Sequence, residues 1–114
     1  MTECIFCCIA GGELPANIIY QDERVIAFRD VNPQAPIHII IVPKKHIGSV
    51  LELSPADKDL VGQIHLAAAK ISQNEGVAET GFRLVVNTGR HAGQSVPHLH
   101  YHLLGGRELA WPPG

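Results

Sequence analysis

Residues 37–42 read IHIIIV, and every one of them except His38 is apolar and β-branched. Branching at Cβ favours extended backbone, and apolar residues at odd and even positions alike predict a strand buried on both faces. Such a strand lies inside a sheet. Pro43 ends it, having no N–H for a ladder.

The rest of the chain supplies its neighbours. Ile18–Tyr20 and Arg24–Phe28 flank the turn Gln21-Asp22-Glu23 and predict a hairpin over 18–28. Phe82–Val86 is another strand, and a further one carries the histidines His98, His100 and His102. Asn32-Pro33-Gln34-Ala35-Pro36 is a loop, since two prolines deny it ladder donors. Ser54-Pro55-Ala56-Asp57 opens a helix, with Ser54 as N-cap and Asp57 in the first turn. Leu60, Ile64, Ala67, Ala68 and Ile71 then recur on one helical face, and Gly76 is the stop. A short helix over 4–10 ends at Gly11-Gly12. Strands joined by short links and one long helix predict an α+β fold with a mostly antiparallel sheet.

The 114 residues are about the length of one domain, 1–114. A formal charge of −2 argues against a non-specific nucleic-acid or anionic-membrane binder, though one local anion site remains compatible with it. No segment has the roughly 20 apolar residues of a membrane helix. Glu3 stands where a signal peptide carries Lys or Arg, so no targeting segment is expected. Cys4, Cys7 and Cys8 are too crowded for a disulfide framework, which makes a reducing cytoplasm the default.

The densest chemistry lies in HLHYHLLGG, residues 98–106. On a regular strand His98, His100 and His102 share one face, while Leu99, Tyr101 and Leu103 face the core. Alternate residues stand roughly 6.6 Å apart, so the outer pair is roughly 13 Å apart. One metal with bonds of about 2 Å cannot gather all three from such a strand. A row of imidazoles suits a phosphate ester better: one ring attacks phosphorus and another donates to a phosphoryl oxygen. The preceding loop fits the same ligand. Gly93 admits close backbone approach, amides around Gly93–Val96 form a candidate anion nest, Ser95 offers a hydroxyl and Asn87 an amide.

HLHYHLL matches His-x-His-x-His-x-x with apolar x, the histidine triad (HIT) pattern. GQSVPHLHYHLLGGRELAWPPG resembles the C-terminal half of the family's Hint branch, and IFCCIAGGELPANIIYQDERVIAFRDVNPQAPIHIIIVPKKHI its N-terminal half. The resemblance covers nearly the whole chain and implies a HIT-like fold in a two-fold homodimer with the sheet extended across it. It implies a purine nucleoside phosphoramidase of bacterial type, acting on AMP-amine conjugates through a covalent nucleotidyl-histidine and needing no cofactor for catalysis.

By that resemblance His100 is the nucleophile. His98 and His102 orient ligand, His102 near the phosphate, and His38 approaches from the neighbouring strand. Ser95 serves the leaving group or phosphate, with Gln94 and Asn87 as further phosphate-side contacts. Asp30 binds the ribose hydroxyls. Ile5, Phe6, Ile9, Phe28 and Val31 form the purine slot, although their spacing alone would make Ile5, Phe6 and Ile9 core. The neighbouring branch, which cleaves dinucleoside polyphosphates, is the alternative, as is a nucleotide-binding scaffold. LGGR and WPPG favour the Hint branch.

Cys4-Ile5-Phe6-Cys7 is a CxxC, which alone supports a redox pair, half a zinc site or nothing. Some HIT relatives carry CIFC here and bind structural zinc through both cysteines and two histidines. The matching set is Cys4, Cys7, His46 and His98. Other Hint proteins lack the cysteines and need no metal, so zinc stays open, and with it the direction His98 faces. Cys8 reads as a small buried hydrophobe, His65 as a helix-surface residue and Arg107 as a candidate for a subunit contact.

Overall fold

The computed structural model describes residues 4–114; Met1–Glu3, and with them the reading of Glu3, lie outside the described residues. Its elements are α1 (Ile5–Ala10), β1 (Ile18–Gln21), β2 (Val25–Arg29), β3 (Ile37–Pro43), α2 (Lys58–Asn74), β4 (Phe82–Val86) and β5 (Tyr101–Gly105). The strands form one antiparallel sheet in the order β1-β2-β3-β5-β4. The strand expected to be central is the middle one.

Residue parity along the strands divides the sheet into two faces. Val25, Ala27, Ile39, Ile41, Leu99, Tyr101 and Leu103 pack with Leu60, Ile64, Ala67, Ala68 and Ile71 of α2. The helix stripe and the histidine strand's apolar set therefore meet as the sequence predicts. Ile26, Phe28, Ile40 and Val42 look the other way and pack with Phe6 and Ile9 of α1. The α1 face is smaller and covers only part of the sheet. Asp30, His38 and His102 have the same parity as Phe28, Ile40 and Val42, so they fall on this less covered face.

Two sequence-based boundaries shift. The expected helix begins with a 3₁₀ turn, Pro55–Asp57, before α2 proper. The Asp57 carboxylate accepts from the Ser54 N–H at 3.0 Å and from the Ser54 hydroxyl at 3.2 Å, while Lys45 donates to it at 2.7 Å. The histidine strand is shorter than expected, because its ladder starts only at Tyr101. Before that point the His98 N–H turns back to the Val96 carbonyl at 2.9 Å, and Leu99 donates to Ile47. His98, His100 and His102 therefore do not lie in one regular row.

The β1–β2 turn is organised by Asp22. Its Oδ1 accepts from the Arg24 and Val25 N–H groups, both at 2.8 Å, and its Oδ2 from the Tyr20 hydroxyl at 2.7 Å and Gln63 at 2.9 Å. Burial alone would raise this carboxyl's pKa, but the hydrogen bonds, led by Tyr20, outweigh it and lower the value to about 2.

Candidate functional site

On the α1 face an apolar cleft of about 640 Å³ opens between α1, the segment 14–17 and the end of β2. Ile5, Phe6, Ile9, Phe28 and Val31 all line it, as does Asp30 at its rim. Phe6 and Ile9 belong to the small core and also wall the cleft, whereas Ile5, read from spacing as core, is exposed and lines the cleft without joining the core. Val31 is fully exposed at the cleft. Leu14, Pro15 and Ala16 complete the wall. Sequence reasoning missed them, since a Leu-Pro-Ala bend carries no ligand signal.

The cleft meets the histidines through Phe6, whose ring stands edge-on to His100 with centroids 5.0 Å apart. His100 is itself buried, with its Nδ1 2.7 Å from the His98 carbonyl. A carbonyl only accepts, so Nδ1 carries the hydrogen and Nε2 keeps its lone pair. That is the tautomer a nucleophile needs.

Backbone groups fix the other rings in the same way. The Gln34 N–H donates to His38 Nδ1 at 3.0 Å, which leaves the His38 hydrogen on Nε2. That nitrogen faces His102 Nδ1 at 2.9 Å and the Asp30 carboxylate at 3.3 Å, both able to accept. His102 Nδ1 is thereby an acceptor, so the His102 hydrogen sits on Nε2 as a donor. Desolvation by burial lowers the pKa of both His38 and His102; Asp30 opposes it in each, and the neighbouring histidines reinforce it at His102. Both rings are therefore favoured as neutral imidazoles.

His98 answers the question left open by the sequence. It is fully buried, and its Nε2 lies 2.8 Å from the Pro43 carbonyl, so Nε2 carries the hydrogen and Nδ1 is a lone pair. That lone pair points away from the cleft, at Cys4 Sγ (3.2 Å), Cys7 Sγ (3.5 Å) and His46 Nδ1 (3.2 Å). Cys7 Sγ to His46 Nδ1 is 3.3 Å. His98 serves His100 through its backbone carbonyl rather than its ring.

Two clusters of metal-type donors occur among the described residues: Cys4/Cys7/His46/His98 and Asp30/His38/His102. Tetrahedral zinc with bonds of about 2.0–2.3 Å separates its ligand atoms by roughly 3.3–3.8 Å, near the 3.2–3.5 Å spacings in the first cluster. Its donor types, the inward lone pair of His98 and the Pro43 bond behind that ring all suit a closed site. The second cluster fails the same test. The Gln34 N–H leaves the His38 hydrogen on the nitrogen that a metal would need.

The phosphate-side loop is placed differently from its reading in the sequence. Gln94 Nε2 donates to the Gly48 carbonyl at 2.8 Å and the Val96 carbonyl at 3.0 Å, and its Oε1 accepts from Gly89 at 3.0 Å. Gln94 thus braces the loop with both ends of its amide. The Gly93 and Gln94 N–H groups are held by Arg90 and Gly89 carbonyls. Of the expected nest, the Ser95 and Val96 N–H groups make no backbone hydrogen bond among the described residues. Ser95 is exposed and lines a recess with Ile5, His46 and Val96. Asn87 follows Val86, which pairs with Tyr101, so register puts it beside His100. Cys8 is half-buried rather than buried, and the exposed His65 ring stands edge-on to Tyr101 at 5.4 Å.

The comparisons agree with this fold. The HIT domain family matches residues 11–109. A HIT-like protein of Synechococcus elongatus is 51% identical over 110 residues, covering 96% of each chain. The purine nucleoside phosphoramidase of Escherichia coli is 50% identical over 107 residues, covering 94% of this chain and 90% of that one. Among solved structures, a HIT family hydrolase from Legionella pneumophila superposes with TM-score 0.97 at 48% identity, covering 98% of this chain and all of the other. A histidine triad protein from Clostridium difficile gives 0.93 at 47%, covering 96% of both. With its fold, its histidines and these relatives in agreement, the chain belongs to the HIT family.

Proposed function

We propose that this protein hydrolyses the P–N bond of purine nucleoside phosphoramidates through a covalent nucleotidyl intermediate on His100. The observation that carries the reading is the hydrogen bond from His100 Nδ1 to the His98 carbonyl, which leaves Nε2 as a lone pair beside an apolar cleft. The 50% identity to a purine nucleoside phosphoramidase supports the substrate class.

In this reading the base enters the apolar cleft, and Asp30 at the rim accepts from ribose hydroxyls with lone pairs not engaged by Asn32. His100 Nε2 attacks phosphorus and the P–N bond breaks. The amine leaves with a proton supplied by the Ser95 hydroxyl or by water that it positions. His102 Nε2–H donates to a phosphoryl oxygen as charge builds there. Water then attacks the phosphorus held on His100 and the P–Nε2 bond breaks, releasing the nucleoside monophosphate and restoring the ring, while the proton lost by that water replaces the one given to the amine. The test is a leaving-group panel of adenosine phosphoramidates, acyl adenylates and diadenosine polyphosphates. Phosphoramidates are expected to turn over fastest; a preference for the polyphosphates would overturn the assignment.

The Cys4/Cys7/His46/His98 set is proposed to hold a structural zinc, supported by its donor spacing. When bound, the ion would tie the start of α1 to the segment before β5. Metal analysis of protein purified without added zinc checks it, with one ion per chain expected. A two-fold homodimer is also proposed, supported by the open edge of β4 and by exposed Phe82 and Trp111. Light scattering at micromolar concentration is expected to give twice the chain mass.

A further inference from the structure

We infer that Arg107 is a positioning residue for the histidine chain, acting through the Gln34 backbone. The Gln34 N–H is the group that holds His38 Nδ1 as an acceptor. The carbonyl of the same residue accepts from Arg107 Nη2 at 3.0 Å, while Nη1 of that guanidinium bonds the Glu108 carbonyl at 2.9 Å. The planar fork spans two strand-flanking segments, which a single ammonium cannot do with the same geometry.

The neighbouring residues show why this contact matters to the ring. In the loop between β2 and β3, Pro33 and Pro36 contribute no N–H. The loop is braced within itself by the Asp30 carboxylate, which accepts from the Asn32 N–H at 2.8 Å, and by the Gln34 side chain, which donates to the Asn32 carbonyl at 2.9 Å; Arg107 holds it from the end of β5. Gly106 brings Arg107 close enough. Its φ of +88° suits glycine, and a Cβ there would stand 2.9 Å from Pro36 Cβ. Gly105-Gly106-Arg107 is thus a clasp from the end of β5 onto the loop before β3.

If Gln34 turns away, His38 loses the donor on Nδ1 and its hydrogen is no longer confined to Nε2. His102 Nδ1 then loses a defined donor, and its own Nε2–H is no longer held toward the phosphate. The consequence for turnover rests on the reading of His100 as nucleophile; the assignment of the tautomers does not.

The experiment pairs kinetics on an adenosine phosphoramidate with imidazole ¹⁵N NMR of the full-length protein. In wild type His38 and His102 are expected to show the Nε2–H pattern. R107A is expected to lower kcat three- to tenfold with KM changed less than twofold, and to draw the two His38 nitrogen resonances toward each other. R107Q, the milder variant if R107A does not fold, is expected to shift them in the same sense by less, and R107K to recover part of the wild-type pattern. R83A removes a nearby guanidinium from the Ala110 carbonyl, and is expected to leave the His38 resonances in place.

Folded R107A or R107Q with unmoved His38 resonances overturns the inference, whether or not kcat falls. A wild type inactive on every phosphoramidate, yet with tautomers that shift in R107A, overturns the functional reading and keeps the positioning role.

Discussion

The two clusters of metal-type donors make an instructive pair. Each gathers its donor atoms within 4.8 Å, and each draws one ring from the 98–102 segment. They differ in which backbone group stands behind the histidine. Behind His98 is a carbonyl, that of Pro43, which takes the ring hydrogen outward and leaves a lone pair facing the thiols. Behind His38 is an N–H, that of Gln34, which occupies the outer lone pair and leaves the hydrogen facing inward. The first arrangement turns acceptors toward one point, as the proposed zinc would need. The second makes a line of donors from Gln34 through His38 to His102. Residue types alone do not separate the two; one peptide group per cluster does.

The largest expected effect separates the clusters outright. His100→Ala should reduce phosphoramidate turnover by at least about 10³-fold, as removal of a covalent nucleophile does, while metal content stays at the wild-type value. Residual turnover near wild type in steady-state assays would show that the attacking group is elsewhere. Next comes the cysteine cluster itself. Cys4→Ser with Cys7→Ser should abolish metal binding and lower stability by about 2 kcal/mol or more, since a closed zinc site contributes to folding directly. Elemental analysis and urea unfolding check both parts. A stable double variant that still binds an ion would place the metal on other ligands.

The donor line is sharpened by His38→Gln, which should lower kcat by about 10- to 100-fold, the scale of losing a hydrogen-bond partner that orients a functional group, with metal content unchanged. Loss of metal in that variant would mean that the clusters are not independent. A smaller effect is expected from pH. His38 and His102 have folded pKa values below the ordinary 6.5, so the unfolded chain binds more protons once the pH falls below that value. Their contribution to stability is complete above 6.5 and is lost as the pH falls through the folded values. Urea midpoints should therefore decline from pH 7 toward pH 5. Flat midpoints across that range would show that the rings titrate as they do in the unfolded chain.

The smallest effect lies outside both clusters. Asp22→Ala should cost about 1–2 kcal/mol by freeing the turn's N–H groups, with kcat unaltered. Because the Asp22 pKa is lowered from 3.8 to about 2, the wild-type advantage over this variant should fade only between pH 4 and 2. An advantage lost already at pH 5 would assign it to another group.

Much of the architecture is legible in the chain because it depends on periodicity. Ile37–Val42 could only be a buried strand, and Leu60–Ile71 could only pack against one. The motif that singles out His100 is local in the chain as well, and the ring it names bonds the His98 carbonyl through Nδ1. The direction of each ring was not. His98 takes its orientation from Pro43, a partner 55 residues away, and its thiol partner Cys4 is 94 residues away. No local pattern reports such contacts. Gln94 shows the same limit: it reads as a phosphate ligand, but its amide is held by the distant Gly48 carbonyl. The early end of the histidine strand comes from the turn at Val96–His98, which an alternating His/apolar pattern conceals.

β3 carries His38 near one end and the Pro43 carbonyl at the other, and so serves both clusters at once. It acts as a ruler laid along β5. Swapping one branched apolar residue for another between Ile39 and Val42 alters packing modestly. Adding or deleting one residue there would turn one end of the strand to the opposite face. Either His38 or Pro43 would then miss its ring, and no repacking could restore both. For this segment the count of residues is a stricter requirement than their identity, and hairpin length variants, tolerable at the tip of β1–β2, are excluded here.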